Sequence, residues 1–128
     1  MIKFFKFIFH ISLLILIILS LYPGSLLGYL FYSDLSQQPI LVENPFGATI
    51  NHFFYYFYVT LLGVTLYIKN KNLSKLVLGL FFLAIILEVL QFWVPNRSFQ
   101  IEDLIGNILG VTVAYFVLKI YLLFNRHE

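Results

Sequence analysis

The fold this sequence predicts is all-α: a polytopic membrane protein, a four-transmembrane-helix bundle with N- and C-termini cytoplasmic. Three observations carry that expectation. Hydrophobic residues make up 61% of the 128-residue chain and charged residues 11%, against about 45–50% and about 25% in soluble domains. A chain this short cannot bury so much apolar surface in a water-soluble core, because small domains hide the smallest share of their surface. The apolar residues also fall into four long runs, and the basic residues gather on one side of them. With 15 Phe, 9 Tyr and 1 Trp, the composition excludes a disordered chain. The lack of cysteine removes disulfides, thiolate nucleophiles and thiolate metal ligands together. A net charge of +2 with scattered basic residues excludes a nucleic-acid partner.

A hydrocarbon core about 30 Å thick needs about 20 apolar residues as helix. The first span is expected over 4–22, with Lys6 and His10 near its start and Pro23-Gly24 at its end. A signal peptide is the other reading of this segment, but Ser20-Leu21-Tyr22-Pro23 offers no small-x-small cleavage site. The outer loop 23–47 is far longer than a helix-pair turn requires. Its first half, with Leu26, Leu27, Tyr29, Leu30, Phe31 and Tyr32, suits an interfacial helix or a shallow re-entrant piece. Its second half, from Ser36 to Gly47, is turn chemistry. The second span is expected over 48–68 and is closed by a polar turn from Lys69 to Lys75. The third, 76–94, is stopped by Pro95-Asn96, and the fourth covers 104–124. Residues 1–128 form one domain without internal repeats.

Seven of the eight basic residues (Lys3, Lys6, Lys69, Lys71, Lys75, Lys119 and Arg126) fall on one side of these spans, and Arg97 stands alone on the other. The positive-inside rule therefore places both termini and the 69–75 turn in the cytoplasm.

Polar residues inside spans are costly, about 2.5–3.5 kcal/mol for a central Asp, Lys or Arg, and are expected to face a bundle interior or wet cavity. Glu88 and Gln91 share a face of the third helix, and Asp103, Asn107 and Gly110 form a stripe on the fourth. His52 and Tyr56 lie four apart at the start of the second. Glu88 is about 10 Å below the outer end of its helix, by the helical rise. Antiparallel topology brings His52, Glu88, Gln91, Arg97, Asp103 and Asn107 to one outer level. Taken singly, each has a plainer explanation. Amides glue helices, an acid suits a helix N-terminus, and Tyr55, Tyr56, Tyr58 and Trp93 suit an interfacial aromatic belt. A zinc-type site is disfavoured, because no His-x-x-x-His spacing occurs. No metal or cofactor is expected.

The run Glu88-x-x-Gln91, Pro95, Arg97-Ser98, Asp103-x-x-x-Asn107-x-x-Gly110, with His52 and Tyr56 upstream, resembles the signature of the VanZ-like family over positions 48 to 115. The family often carries Asp-Lys just before the His; Ala48-Thr49 stand there in this chain. The resemblance implies a multi-pass protein of the bacterial inner membrane. It also implies an envelope role of the kind linked to teicoplanin resistance, although it supplies no reaction.

Three functions compete. In the first, the outer cluster binds a membrane lipid or lipid-linked envelope intermediate, with Arg97, Gln91, Asn107 and Tyr56 as ligand contacts. In the second, Glu88, Asp103 and His52 are the acid–base groups of an intramembrane enzyme. In the third, the polar residues only pin a structural scaffold. The sequence leaves oligomerisation open.

Overall fold

The computed structural model describes residues 2–37 and 49–124. The turn residues 38–47, the expected start of the second span at Ala48, and Arg126 lie outside the described residues. Five α-helices follow in order: α1 Ile2–Leu21, α2 Leu26–Tyr32, α3 Thr49–Tyr67, α4 Leu73–Leu90 and α5 Ile101–Phe124. Among the described residues there is no strand.

Each helix ends for a local reason. Past α1, Pro23 leads into Gly24, whose φ of +79° is left-handed and open to glycine without penalty. The Gly24 N–H then donates to the Pro95 carbonyl at 3.1 Å, tying the C-terminal ends of α1 and α4 together. The short α2 starts on Ser25, whose hydroxyl accepts from the Gly28 N–H at 2.9 Å, and stops at Ser33 in the left-handed region. The third span is helical as expected, but α4 gives way at Leu90 to one 3₁₀ turn, Gln91–Trp93. Pro95 biases its predecessor toward extended backbone, and Val94 is extended. Helix α5 starts at Ile101, three residues before the expected 104, because Glu102 and Asp103 occupy its first turn and complement the helix dipole there.

Helices α1 and α4 run one way and α3 and α5 the other. The Gly24–Pro95 link marks one end, and Lys6, 5.4 Å above the Tyr67 ring, marks the opposite one. Lys3, Lys6, Lys69, Lys71, Lys75 and Lys119 consequently lie toward one end of the bundle, and Glu88, Arg97 and Asp103 toward the other.

Three stretches are long and apolar enough to cross a membrane: Ile2–Leu21, Leu73–Trp93 and Ile101–Phe124. They turn Phe4, Phe7, Leu78, Phe82, Ile86, Phe116 and Ile120 outward, the apolar exterior of a lipid-solvated protein. Helix α3, the expected second span, is not among them. Asn51, His52, Thr60, Thr65 and four tyrosines lower its hydropathy. Its position compensates, because α3 packs against α1, α4 and α5. It buries Tyr56, Val59, Thr60 and Val64 within the core. The least apolar helix is the most enclosed one.

The closest packing joins α3 to α5. Gly106, Gly110 and Ala114 are buried at four-residue spacing on α5, the small-residue pattern that lets helix backbones approach. A Cβ on Gly110 would stand 2.5 Å from the Phe53 carbonyl oxygen and 2.9 Å from the Phe57 nitrogen. Both are backbone atoms, which cannot swing aside. Gly110→Ala is therefore expected to destabilise the bundle by about 1–3 kcal/mol, read as a lower melting temperature in detergent. The outward Val113→Ala should stay within about 0.5 kcal/mol of wild type.

Candidate functional site

At the end of the bundle away from the lysines, four side chains from three helices form one polar network. Glu88, in the last turn of α4, is fully buried. Its Oε1 accepts the Gln100 backbone N–H at 3.2 Å, and its Oε2 accepts from Asn107 Nδ2 at 3.3 Å. Gln100 immediately precedes α5, so the carboxylate faces the positive end of that helix dipole, which favours an anion there. With its nitrogen donating to Glu88, Asn107 has its carbonyl oxygen left to accept from His52 Nδ1, 3.2 Å away. The second ring nitrogen, Nε2, lies 3.6 Å from Asp103 Oδ2. That contact becomes an ion pair when Nε2 also carries a proton. Asp103 is buried one turn before Asn107 on α5.

Arg97 is placed by a turn in which its N–H donates to the Val94 carbonyl at 3.2 Å. Pro95 precedes Asn96, whose φ is +57°, the residue pattern of a type II turn. The Arg97 side chain reaches the C-terminal end of α1, where Nη2 donates to the Leu19 carbonyl at 3.0 Å and Nε to the Tyr22 carbonyl at 3.4 Å. A cation capping the last carbonyls of a helix is favoured by their partial negative charge. Among the described residues Arg97 forms no ion pair. Burial holds its guanidinium below the usual arginine range, against the opposing pull of Glu88 and Asp103.

A cavity of about 140 Å³ opens between α1, α2 and α3, with Asn51, His52, Tyr56, Gln91 and Arg97 in its wall. Tyr56 and Gln91 are 2% and 3% exposed. The Tyr56 hydroxyl has no hydrogen-bond partner among the described residues, and neither does the Thr60 hydroxyl one turn further along α3.

The seven residues singled out from the sequence thus separate into two connected groups. Glu88, Asp103, Asn107 and His52 make the network; Gln91, Arg97, Tyr56 and again His52 line the cavity. Glu88, Asp103 and Asn107 stand behind that wall rather than in it. Tyr56 does not belong to an aromatic belt, because burial in the core takes it away from the lipid boundary. Tyr55 and Tyr58 turn toward α1 and meet the Ser12 carbonyl and hydroxyl at 3.2 and 3.3 Å, whereas Trp93 is 69% exposed. Sequence reasoning missed the contributions of α1 and α2 to the cavity, which are mainly leucines with Ser20 and Ser25. It also missed Gly106 and Ala114, which the four-residue spacing around Gly110 displays.

These features define a class: an all-helical, membrane-compatible bundle with a buried carboxylate–amide–imidazole network at one end. A family model described as VanZ/LLP1 matches residues 5–124, nearly the whole chain, and the chain belongs to the VanZ/LLP1 family. The match reaches beyond positions 48 to 115 to take in most of α1 and α5. No curated protein and no solved structure matches the chain.

The network makes a definite prediction for Glu88→Gln. The new amide must keep its oxygen toward the Gln100 N–H, so its nitrogen faces Asn107. Asn107 then turns over, and His52 Nδ1 must become an acceptor. Nitrogen-15 NMR of labelled histidine should show the His52 proton moving from Nδ1 to Nε2; a proton that stays on Nδ1 contradicts the described chain of bonds. Glu88→Leu should melt well below Glu88→Gln, since it leaves the buried Asn107 donor unpaired at roughly 1–3 kcal/mol and also removes the acceptor of the part-buried Gln100 N–H.

Proposed function

We propose that this VanZ/LLP1-family chain is a four-span protein of the bacterial inner membrane, with both termini in the cytoplasm and its polar cavity facing outward. There it binds an anionic group of a membrane lipid or lipid-linked envelope intermediate, and through that ligand it contributes to envelope physiology of the teicoplanin-resistance kind. The carrying observation is Arg97, a half-buried guanidinium that lies in a cavity wall and makes no salt bridge within 4.0 Å among the described residues. The gathering of six lysines at the opposite end supports the orientation. The enclosure of α3 by its neighbours supports a fourth span in spite of its polarity.

A second reading makes the site an intramembrane acid–base enzyme. It draws on His52, which lines the cavity and lies 3.6 Å from Asp103, with Glu88 orienting the ring through Asn107. A base held in position beside a cavity is what general acid–base chemistry requires.

Topology can be tested directly, because the chain has no cysteine. In intact cells a membrane-impermeant maleimide should label Ser98→Cys and leave Lys71→Cys unlabelled until the membrane is opened; the reverse pattern inverts the proposed orientation. For the ligand, lipids co-purifying with the protein are measured by mass spectrometry. Arg97→Lys is expected to lower their recovery by about tenfold, since Lys does not reproduce a bidentate guanidinium contact. Full recovery with Arg97→Lys contradicts the binding site as described. Asp103→Asn separates the two readings, because Asp103 stands behind the cavity wall: lost phenotype with ligand still retained indicates an enzyme, and phenotype and ligand both retained a binder.

A further inference from the structure

We propose that the cavity takes a phosphate-bearing amphiphile, with its phosphate held by Arg97, Gln91 and Tyr56 and the start of its hydrocarbon chain laid along Leu16, Leu19 and Leu26. The inference rests on the binding reading above and deepens it, naming the ligand's chemistry at both ends.

The polar end is rich in donors and lacks acids. No Asp or Glu among the described residues lines the cavity. A guanidinium has five N–H donors, and the α1 carbonyls of Leu19 and Tyr22 use two of them. The Gln91 side-chain amide, 3% exposed, lines the same wall. The Tyr56 hydroxyl, equally enclosed, donates to nothing. Buried donors left unpaired are costly, and the unpartnered Tyr56 hydroxyl, with the Gln91 amide and the Arg97 guanidinium on the same wall, favours a ligand with several acceptor oxygens. A phosphate presents more of them than a carboxylate, and its geometry suits the guanidinium fork.

The other end separates an amphiphile from a free anion. Leu16 and Leu19 of α1 and Leu26 of α2 line the same cavity as Arg97. A soluble phosphate would leave these leucines without a partner, whereas a hydrocarbon chain covers them. The exposed apolar residues Leu30 and Phe31 on α2 put this side of the molecule in an apolar surrounding from which a lipid can arrive.

The test uses the full chain in dodecyl maltoside, with binding read by native mass spectrometry and by the ligand-dependent rise in melting temperature. The probes are inorganic phosphate, dodecyl phosphate and dodecanoate. Dodecyl phosphate should bind at least about tenfold more tightly than either of the others, and Arg97→Gln should remove about tenfold or more of that affinity. Tyr56→Phe and Gln91→Leu leave the α1 cap untouched, and each should weaken dodecyl phosphate by roughly threefold or more. They provide the readout if Arg97→Gln loosens the bundle. Inorganic phosphate binding as tightly as dodecyl phosphate overturns the amphiphile and leaves the anion site standing. Dodecanoate binding as tightly overturns the phosphate. If no probe binds wild type more tightly than all three variants, the inference and the binding reading both fall.

Discussion

The Asn107 amide is the joint on which the polar end of this bundle depends. Its nitrogen donates to Glu88 on α4 and its oxygen faces His52 on α3, while its own backbone belongs to α5. An amide is suited to this place because it offers a donor and an acceptor at once. A carboxylate there would repel Glu88, and an ammonium could not accept from His52. Because Glu88 is an acceptor on both oxygens, the direction of each bond follows outward from it to the imidazole. A fully connected buried network of this kind specifies one arrangement of the helices, whereas an incompletely satisfied one is costly. The position of Glu88 before the N-terminus of α5 sets its buried side chain at the favourable end of that helix dipole.

The same end of the molecule reconciles two conflicting demands on α3. Its tyrosines, threonines, Asn51 and His52 make it a poor match for lipid, yet Asn51, His52, Tyr55 and Tyr56 among them line the cavity. Enclosure by α1, α4 and α5 resolves the conflict. Gly106, Gly110 and Ala114 are buried at the α3–α5 contact, and at Gly110 a Cβ would meet the α3 backbone at Phe53 and Phe57. Close packing of small residues and a polar network one turn away are therefore parts of one design. The first sets the distance between helices at which the hydrogen bonds of the second can form.

Arg97 connects this network side of the bundle to α1 and α2. It completes the end of α1 through the Leu19 and Tyr22 carbonyls and still lines the cavity. A single residue holds a helix end and faces the cavity at the same time. The Gly24–Pro95 hydrogen bond reinforces that hold from the backbone. The first helix is thus part of the site's wall, in addition to its suitability as a membrane anchor.

Much of this was legible in the order of residues. Long apolar runs, a Pro-Gly and a Pro-Asn break, and lysines confined to alternate connections fix helices and their alternating directions, because those signals are local or depend only on counting along the chain. The meeting of Glu88, Asp103, Asn107 and His52 followed from spacing and depth for the same reason. What periodicity could not reveal was the lateral arrangement. Tyr56 reads as an interfacial aromatic until α3 is seen at the centre of the bundle, and Arg97 reads as an outer charge until its reach to α1 is seen. Helical spacing says which residues share a face, but the neighbour that covers that face is chosen by three-dimensional packing. That choice alone decided which polar groups bond to one another and which are left to line a cavity.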